Sequence, residues 1–565
     1  MSASMSTTMI STVTPITYQE RARIKRSIQG SLIPAEWRLA SVPPVGEVAD
    51  VLEYIRKCNL LSAGELSITE TSDVNTLLHK LASRQLSSLE VTKAFAKRAM
   101  LAHQLTNCCT EIFLEDAFDR ARQLDDYLEQ TGELIGPLHG LPVSIKDLFD
   151  VKGVDSCIGW VGLTNKPATQ DGNAAATLRR LGAVLYVKTN VPQSMMMSDS
   201  YNHVFGQCVS TLNRNLISGG SSGGESSLVS ARGSILGIGT DVGGSIRIPA
   251  NLCGIYGLSP STGRQPYERS GLRQDVIRSV AGPMAMSLST VEKYMEALPA
   301  ARPWEIDHQV TPIPWQTELC TTTKRLRIGY VIDDGVVKVQ PPVARAVEEV
   351  IQALREAGHE VFEWDASSHA HAYQLWEKAI LSDGGAACRR LCELSGEPLI
   401  EGMLVGKPHN ILTTSQTHQL IADKYAYETQ YLRRWASASL DALIMPITPW
   451  VGYKPQTWVK SHQYVGYTSI SNLLDYPALA IPVTKADRTK DDRSLDKEWM
   501  TYQPRNKSDE FNHQQYDIDL IHGAPVGVQV ITPKLQEEKC IAVAKVIEES
   551  LAAQRSAERA QQAKL

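Results

Sequence analysis

Residues 218–263 read SGGSSGGESSLVSARGSILGIGTDVGGSIRIPANLCGIYGLSPSTG. Glycine and serine are packed here more densely than an ordinary core tolerates, yet Leu228, Val229, Ile235, Leu236, Ile246 and Ile248 thread through the stretch. A flexible Gly/Ser linker would lack those apolar residues and would not carry Glu225, Asp241 and Arg247 at its joints. Glycine admits left-handed backbone and lets the main chain approach a ligand closely. Serines held on such turns can serve as nucleophiles. The stretch is read as the wall of an active site.

The flanking sequence supplies a scaffold for that wall. In Leu141-Pro142-Val143-Ser144-Ile145-Lys146-Asp147, Val143 and Ile145 alternate with Ser144 and Lys146, the period of two of a strand, and Lys146 faces away from its apolar neighbours. A helix is expected over 174–181, stopped by Gly182, then a short apolar strand over 183–187. The same rhythm returns with a strand at 326–331, a helix over 343–357 and a strand at Val361. In that helix Val343, Val347, Val350, Ile351 and Leu354 share one face. Buried strands are expected at 442–446, 478–482 and 526–530, mainly helical chain over 371–440, and a last helix over 536–562. Ser87-x-x-Glu90 has the spacing of a capping box. Alternating helices and buried strands give an α/β fold class.

Composition narrows the function. With 43% hydrophobic and 21% charged residues and a formal net charge of −5, the chain is an ordinary globular protein. No basic cluster interleaved with aromatics argues for nucleic acid. No run approaches the ~18–20 apolar residues that span a bilayer, so integral membrane association is not expected. Ten scattered cysteines, with only Cys108 and Cys109 adjacent, suit a reduced intracellular protein rather than a disulfide framework. The N-terminus lacks the charge-then-apolar order of a secretory signal. A cytoplasmic location follows, with a peroxisomal address as the alternative, because Ala563-Lys564-Leu565 is one substitution from S-K-L.

Three serines compete as nucleophile: Ser221, Ser222 and Ser245. Gly219 to Gly223 and Gly220 to Gly224 both match G-x-S-x-G, but the residues before Gly219 are loop-like, where an esterase elbow needs a strand. Gly237-x-Gly239-x-x-x-Gly243 has the wrong last spacing for a dinucleotide site. Asp241-Val242-Gly243-Gly244-Ser245 offers successive peptide N–H groups on a tight turn, an anion nest suited to an oxyanion. No histidine lies in this region. A desolvated lysine is the alternative base, since burial lowers a lysine's pKa, and Lys146 is of that kind.

The blocks Gly140-Leu-Pro-Val-Ser-Ile-Lys146-Asp147, Gly219-Gly-Ser221-Ser-Gly-Gly-Glu225 and Gly239-Thr-Asp241-Val-Gly-Gly-Ser245-Ile-Arg247-Ile-Pro resemble the three blocks of the amidase signature family, in the family's order. Ile33-Pro-Ala-Glu-Trp37 and Gly136-Pro-Leu-His-Gly140 are similar to fungal acetamidase-like general amidases. The resemblance covers about residues 30–555. It implies a single large α/β domain, a mixed twisted sheet surrounded by helices, over the several domains that length alone suggests. It would span 61–560 with a polar surface insertion at 485–517, behind an N-terminal arm over 1–60 that is disordered over 1–16 and then helical. It also implies a Ser–cis-Ser–Lys triad: Ser245 as acylated nucleophile, Ser221 as relay after a non-proline cis peptide, Lys146 as base. The amides of Val242, Gly243, Gly244 and Ser245 would form the oxyanion hole. Met195 and Met196, with Ser221, would meet the substrate, and Ser222, Asp241 and Arg247 would support the lysine and the loop. From the residues themselves, Asp241 and Arg247 read as a structural ion pair and the methionines equally as core packing.

The expected activity is hydrolysis of a carboxylic amide through an acyl-enzyme, needing no cofactor and no metal. Its partner is a small-molecule amide, without nucleic acid, and oligomeric state is open, a homodimer included. A serine esterase and an ammonia-transferring amidotransferase subunit are the alternatives.

Overall fold

A computed structural model describes residues 16–267, 274–460 and 463–562. Its framework is thirteen strands: β1 (Cys109–Ile112), β2 (Pro142–Lys146), β3 (Val184–Thr189), β4 (Tyr201–Asn202), β5 (Gly206–Gln207), β6 (Leu236–Asp241), β7 (Tyr256–Ser259), β8 (Val280–Ala285), β9 (Arg327–Tyr330), β10 (Glu360–Glu363), β11 (Ala442–Pro446), β12 (Ala478–Lys485) and β13 (Pro525–Ile531). Eleven of them form one sheet in the order β1-β3-β2-β6-β8-β7-β12-β13-β11-β9-β10, and β4 and β5 make a separate hairpin. β3, β2 and β6 run parallel, as do β11, β9 and β10, while the pairs from β6 across to β11 and the β1–β3 pair are antiparallel. This is a single-domain α/β fold, a mixed sheet surrounded by helices.

The buried helices follow their sequence signals. Ser87 Oγ accepts from the Glu90 N–H (3.1 Å) and Glu90 Oε2 accepts from the Ser87 N–H (2.8 Å), so both orphan donors at the start of the Ser88–Thr106 helix are satisfied. The Pro341–Glu356 helix buries Val343, Val347, Val350, Ile351 and Leu354, the face its spacing predicts. β2 is buried along its whole length because β3 and β6 flank it. Its alternation therefore sorts two interiors rather than core from solvent: Val143 and Ile145 join the main apolar core, while Ser144 and Lys146 enter a polar one.

The Tyr18–Ser31 helix docks through Lys25, whose buried ammonium lies 2.8 Å from Glu111 and 2.8 Å from Asp155. Between β12 and β13 the chain forms four short helices, Arg488–Asp491, Lys497–Met500, Lys507–Gln514 and Ile518–Ile521. They are tied down by buried carboxylates: Asp491 grips the Arg345 guanidinium (2.8 Å), and Asp509 accepts from the Lys338 N–H (2.9 Å) and the Tyr502 hydroxyl (2.7 Å). Residues 1–15 and the tripeptide Ala563-Lys564-Leu565 lie outside the described residues. Among the described residues no helix is long and apolar enough to cross a membrane.

Candidate active site

Neighbouring strands bring the serines and the lysine together. Lys146 ends β2, and beside it β6 carries Thr240 and delivers the turn 241–246. Lys146 is fully buried, and its Nζ lies 2.8 Å from Ser221 Oγ and 2.8 Å from Thr240 Oγ1. Asp147, beside it in sequence, turns instead to Lys188 (3.7 Å), the Thr110 hydroxyl (3.1 Å) and the Ile158 N–H (2.6 Å).

The two Gly/Ser turns lock to each other main chain to main chain, the Ser222 N–H donating to the Ser245 carbonyl (3.1 Å). The Gly220–Ser221 peptide is cis, and the Gly223–Ser230 helix begins two residues later. Gly219 holds a φ of 84°, in the left-handed region that glycine favours. A Cβ on Gly220 would stand 2.4 Å from the Met197 carbonyl oxygen, so this turn is closed to side chains as well. Ser222 exchanges hydrogen bonds with the Thr240 main chain, accepting from its N–H (3.3 Å) and donating to its carbonyl (3.4 Å). It thus supports the strand beside the lysine.

The turn after β6 has every carbonyl anchored from outside. Trp376 Nε1 donates to the Val242 carbonyl (2.7 Å), Thr468 Oγ1 to that of Gly243 (2.6 Å), and the Ile248 N–H to that of Gly244 (2.7 Å). In a trans peptide C=O and the next N–H point opposite ways, so these anchors turn the following amides away from Trp376, Thr468 and Ile248. The Gly244 N–H is taken by Asp241 Oδ1 (2.8 Å), and Asp241 Oδ2 accepts from the Ile246 N–H (3.0 Å). The amides of Val242, Gly243 and Ser245 are the ones that carboxylate does not use.

Asp241 also grips Arg247 through two bonds (2.9 and 3.1 Å), both side chains fully buried. Burial pushes the Asp241 carboxyl up, but the Arg247 charge and hydrogen bonds outweigh it and hold the group down at about 2. Asp241 is therefore a permanent anion whose role is to shape the turn. Glu225, in the first turn of the Gly223–Ser230 helix, is the opposite case. Ser144 Oγ (2.6 Å) and Thr189 Oγ1 (2.8 Å) are its side-chain donors, and burial raises its carboxyl to about 8. Burial therefore favours its protonated form.

Ser245, half-buried, opens onto a cavity of about 30 Å3, about two to three times what one water needs. Met195, Met196, Met197, Ile248, Trp376, Leu404 and Val465 form its apolar walls, with Gly220, Val242 and Gly243 on the side of the turns. Ser194 and Met195 hold positive φ angles of 68° and 60°, and the Leu404 N–H caps the Met196 carbonyl (3.0 Å), so this wall is a fixed loop. A larger groove of about 710 Å3, lined by charged residues such as Arg345, Glu349, Lys485 and Arg555, contains none of the three serines. Sequence reasoning found both methionines but not Trp376, Leu404 or Thr240. Trp376 and Leu404 lie more than 100 residues from the motifs and carry no local signal, and Thr240 becomes legible only once β6 is placed beside β2.

The chain matches the amidase family profile over residues 90–541. It belongs to the amidase family. This amidase is 38% identical to the acetamidase of Emericella nidulans over 550 residues, 94% of this chain and 98% of the relative. It is 38% identical to the acetamidase of Aspergillus oryzae over 547 residues, 94% of this chain and 97% of the relative. Among solved structures it is similar to a fatty acid amide hydrolase, with a TM-score of 0.87 and 32% identity over 94% of each chain. The amidase is thus an amide hydrolase acting on carbon–nitrogen bonds of linear amides. The three blocks Gly140–Asp147, Gly219–Glu225 and Gly239–Pro249 all fall inside the matched region.

Proposed function

We propose that this amidase cleaves small aliphatic carboxamides through an acyl-enzyme on Ser245. The observation that carries the mechanism is the buried contact of Lys146 Nζ with Ser221 Oγ at 2.8 Å, on a turn bonded to Ser245's own. With its amine neutral, Lys146 takes the Ser221 hydroxyl proton while Ser221 takes the proton of Ser245. Ser245 Oγ bonds to the amide carbon, and the carbonyl oxygen gathers negative charge against the amides of Val242, Gly243 and Ser245. As the C–N bond breaks, the proton returns from Lys146 through Ser221 to the leaving nitrogen. Water then attacks the ester by the same relay, releasing the acid and restoring Ser245.

A small acyl group is supported by the cavity of about 30 Å3 and its apolar walls. The names of the acetamidase relatives agree with that size.

A fluorophosphonate probe followed by peptide mapping tests the nucleophile. Label is expected on Ser245 and absent from Ser245→Ala, whereas label on Ser221 or Ser222 would support an esterase-like turn instead. In an acetamide-to-hexanamide series, kcat/KM is expected to fall with chain length, and a rise toward hexanamide would remove the size argument.

A further inference from the structure

Outside the active site, the adjacent cysteines noted in the sequence are the strongest cluster of ligating side chains. The Ser88–Thr106 helix carries His103 in its last turn and ends at Asn107, whose φ of 57° reverses the chain into Cys108 and Cys109. In a regular strand successive side chains point to opposite faces. Here Cys108 precedes β1 and directly follows the Asn107 reversal, so that rule does not bind the pair. The two sulfurs end 3.8 Å apart, and the Cys109 N–H donates to His103 Nδ1 (3.1 Å), which holds the ring beside them by using the lone pair that a metal would take. One nitrogen of the ring and both sulfurs lie within 4.8 Å of one another.

The geometry points to a binding site for a thiophilic d10 cation, Zn2+ or a chemical equivalent, held by Cys108, Cys109 and His103. Two thiolates each about 2.3 Å from a tetrahedral zinc stand about 3.8 Å apart, the separation these sulfurs already have. Two sulfurs and an imidazole select a soft or borderline metal and disfavour Mg2+ and Ca2+, which take oxygen ligands. Cys108 and Cys109 are buried, and half-buried His103 offers the way in.

A second cluster, Glu111, Asp147 and Cys157, illustrates the alternative use of such groups. It is filled by this chain's own cations, Lys25 on Glu111 (2.8 Å) and Lys188 by Asp147 (3.7 Å). No lysine or arginine pairs with the Cys108–Cys109–His103 group among the described residues. Binding there forms two metal–sulfur bonds and one metal–nitrogen bond, releases the two thiol protons to solvent and breaks the Cys109 N–H bond to His103 Nδ1, so the bound Zn2+ and its thiolates are neutral together. The site also adjoins the catalytic turns: the Cys108 carbonyl accepts the Asn190 N–H (2.8 Å), and the Asn190 carbonyl accepts the Gly224 N–H (2.9 Å).

Equilibrium dialysis of the reduced full chain against Zn2+ tests the assignment. One tight equivalent is expected. Cys109→Ser, Cys108→Ser and His103→Gln each weaken it by at least the about 10–100-fold that loss of a mere supporting group costs. Cys388→Ser/Cys392→Ser, which removes a half-buried pair on the Ala386–Glu393 helix, leaves it unchanged. A tight equivalent that survives in the Cys108→Ser/Cys109→Ser double variant, or that vanishes in the Cys388/Cys392 variant, overturns the proposal. Should the buried variants fail to fold, X-ray absorption on zinc-loaded wild type decides. Two sulfurs at about 2.3 Å with nitrogen at about 2.0–2.1 Å support the site, and a shell of oxygen and nitrogen alone overturns it.

Discussion

At the residue scale the site rests on how one ammonium is buried. Lys146 Nζ reaches two hydroxyls, those of Ser221 and Thr240. Hydroxyls accept from a charged lysine and donate to a neutral one, so both contacts persist in either protonation state. Lys146→Ala should lower kcat for acetamide by about 10²–10⁴-fold at pH 7, the range a positioned general base supplies, with the far-ultraviolet circular dichroism unchanged. Near-wild-type turnover in that variant would remove lysine from the mechanism. Thr240→Val keeps the volume and deletes the second hydroxyl. We expect a loss of about tenfold, with the pH–rate profile displaced, because the proton balance of Lys146 rather than the fold has changed. An unshifted profile would reduce Thr240 to packing. The sequence exposed Ser221 and Ser245 because they sit among glycines, and Lys146 because it alternates with the apolar Val143 and Ile145. It hid Thr240, since a threonine inside a strand has no composition signal until the neighbouring strand is known.

At the element scale, the Gly223–Ser230 helix carries a buried acid where its first peptide N–H groups favour negative charge. Burial still dominates and raises the Glu225 carboxyl to about 8. The sign follows from linkage. A group whose pKa is raised from 4.5 in the unfolded chain to about 8 in the folded one stabilises fully below pH 4.5. That contribution drains away as pH rises through 8, at no more than about 1.4 kcal/mol per pH unit. Glu225→Gln mimics the neutral acid and does not titrate. Urea unfolding at pH 5 and pH 8 should show the wild type losing more stability than the variant across that interval, and equal losses would mean that Glu225 is ionised in the folded state. Elements were legible where periodicity was strong: β2, β3, β9, β11, β12, β13 and the helices at Ser88–Thr106 and Pro341–Glu356 all fall on expected segments. β1, β7 and β8 were not. β8 reads Val-Ala-Gly-Pro-Met-Ala, and a proline argues against a central strand, yet Pro283 sits opposite Ile238 between β6 and β7. Gly282 beside it is required for a separate reason, because a Cβ there would stand 2.0 Å from the Leu258 carbonyl oxygen. Local sequence cannot report so close an approach.

At the scale of the whole molecule, every proposed reacting group comes from residues 146–245, and one side chain ties that half to the rest. Arg247 is fully buried. Beyond Asp241, its guanidinium donates to the Thr468 carbonyl (3.0 Å), Ser471 Oγ (2.7 Å), Asn472 Oδ1 (2.7 Å) and Gln529 Oε1 (2.8 Å). Thr468 in turn holds the Gly243 carbonyl, so the turn that presents Ser245 is referenced to the Gly466–Leu474 helix and to β13. The motif Asp241-x5-Arg247 announces the pair, but its partners 221 to 282 residues onward were invisible without the sheet order. Arg247→Met fills much of the volume and strands the Asp241 carboxylate in the interior. The cost should be about 3–5 kcal/mol at pH 7, read as a lower urea midpoint. Asp241→Asn/Arg247→Met removes the orphaned charge and should recover part of that loss. Acid supplies the independent check. In the wild type Asp241 is held at about 2, below its ordinary 3.8, so the stability it contributes is present above pH 4 and is lost as pH falls through 2. Without Arg247 the desolvated carboxyl protonates more readily, and the gap between variant and wild type should narrow on moving from pH 7 toward pH 4. A gap that stays constant would mean that lost packing, rather than the unpaired carboxylate, accounts for the damage.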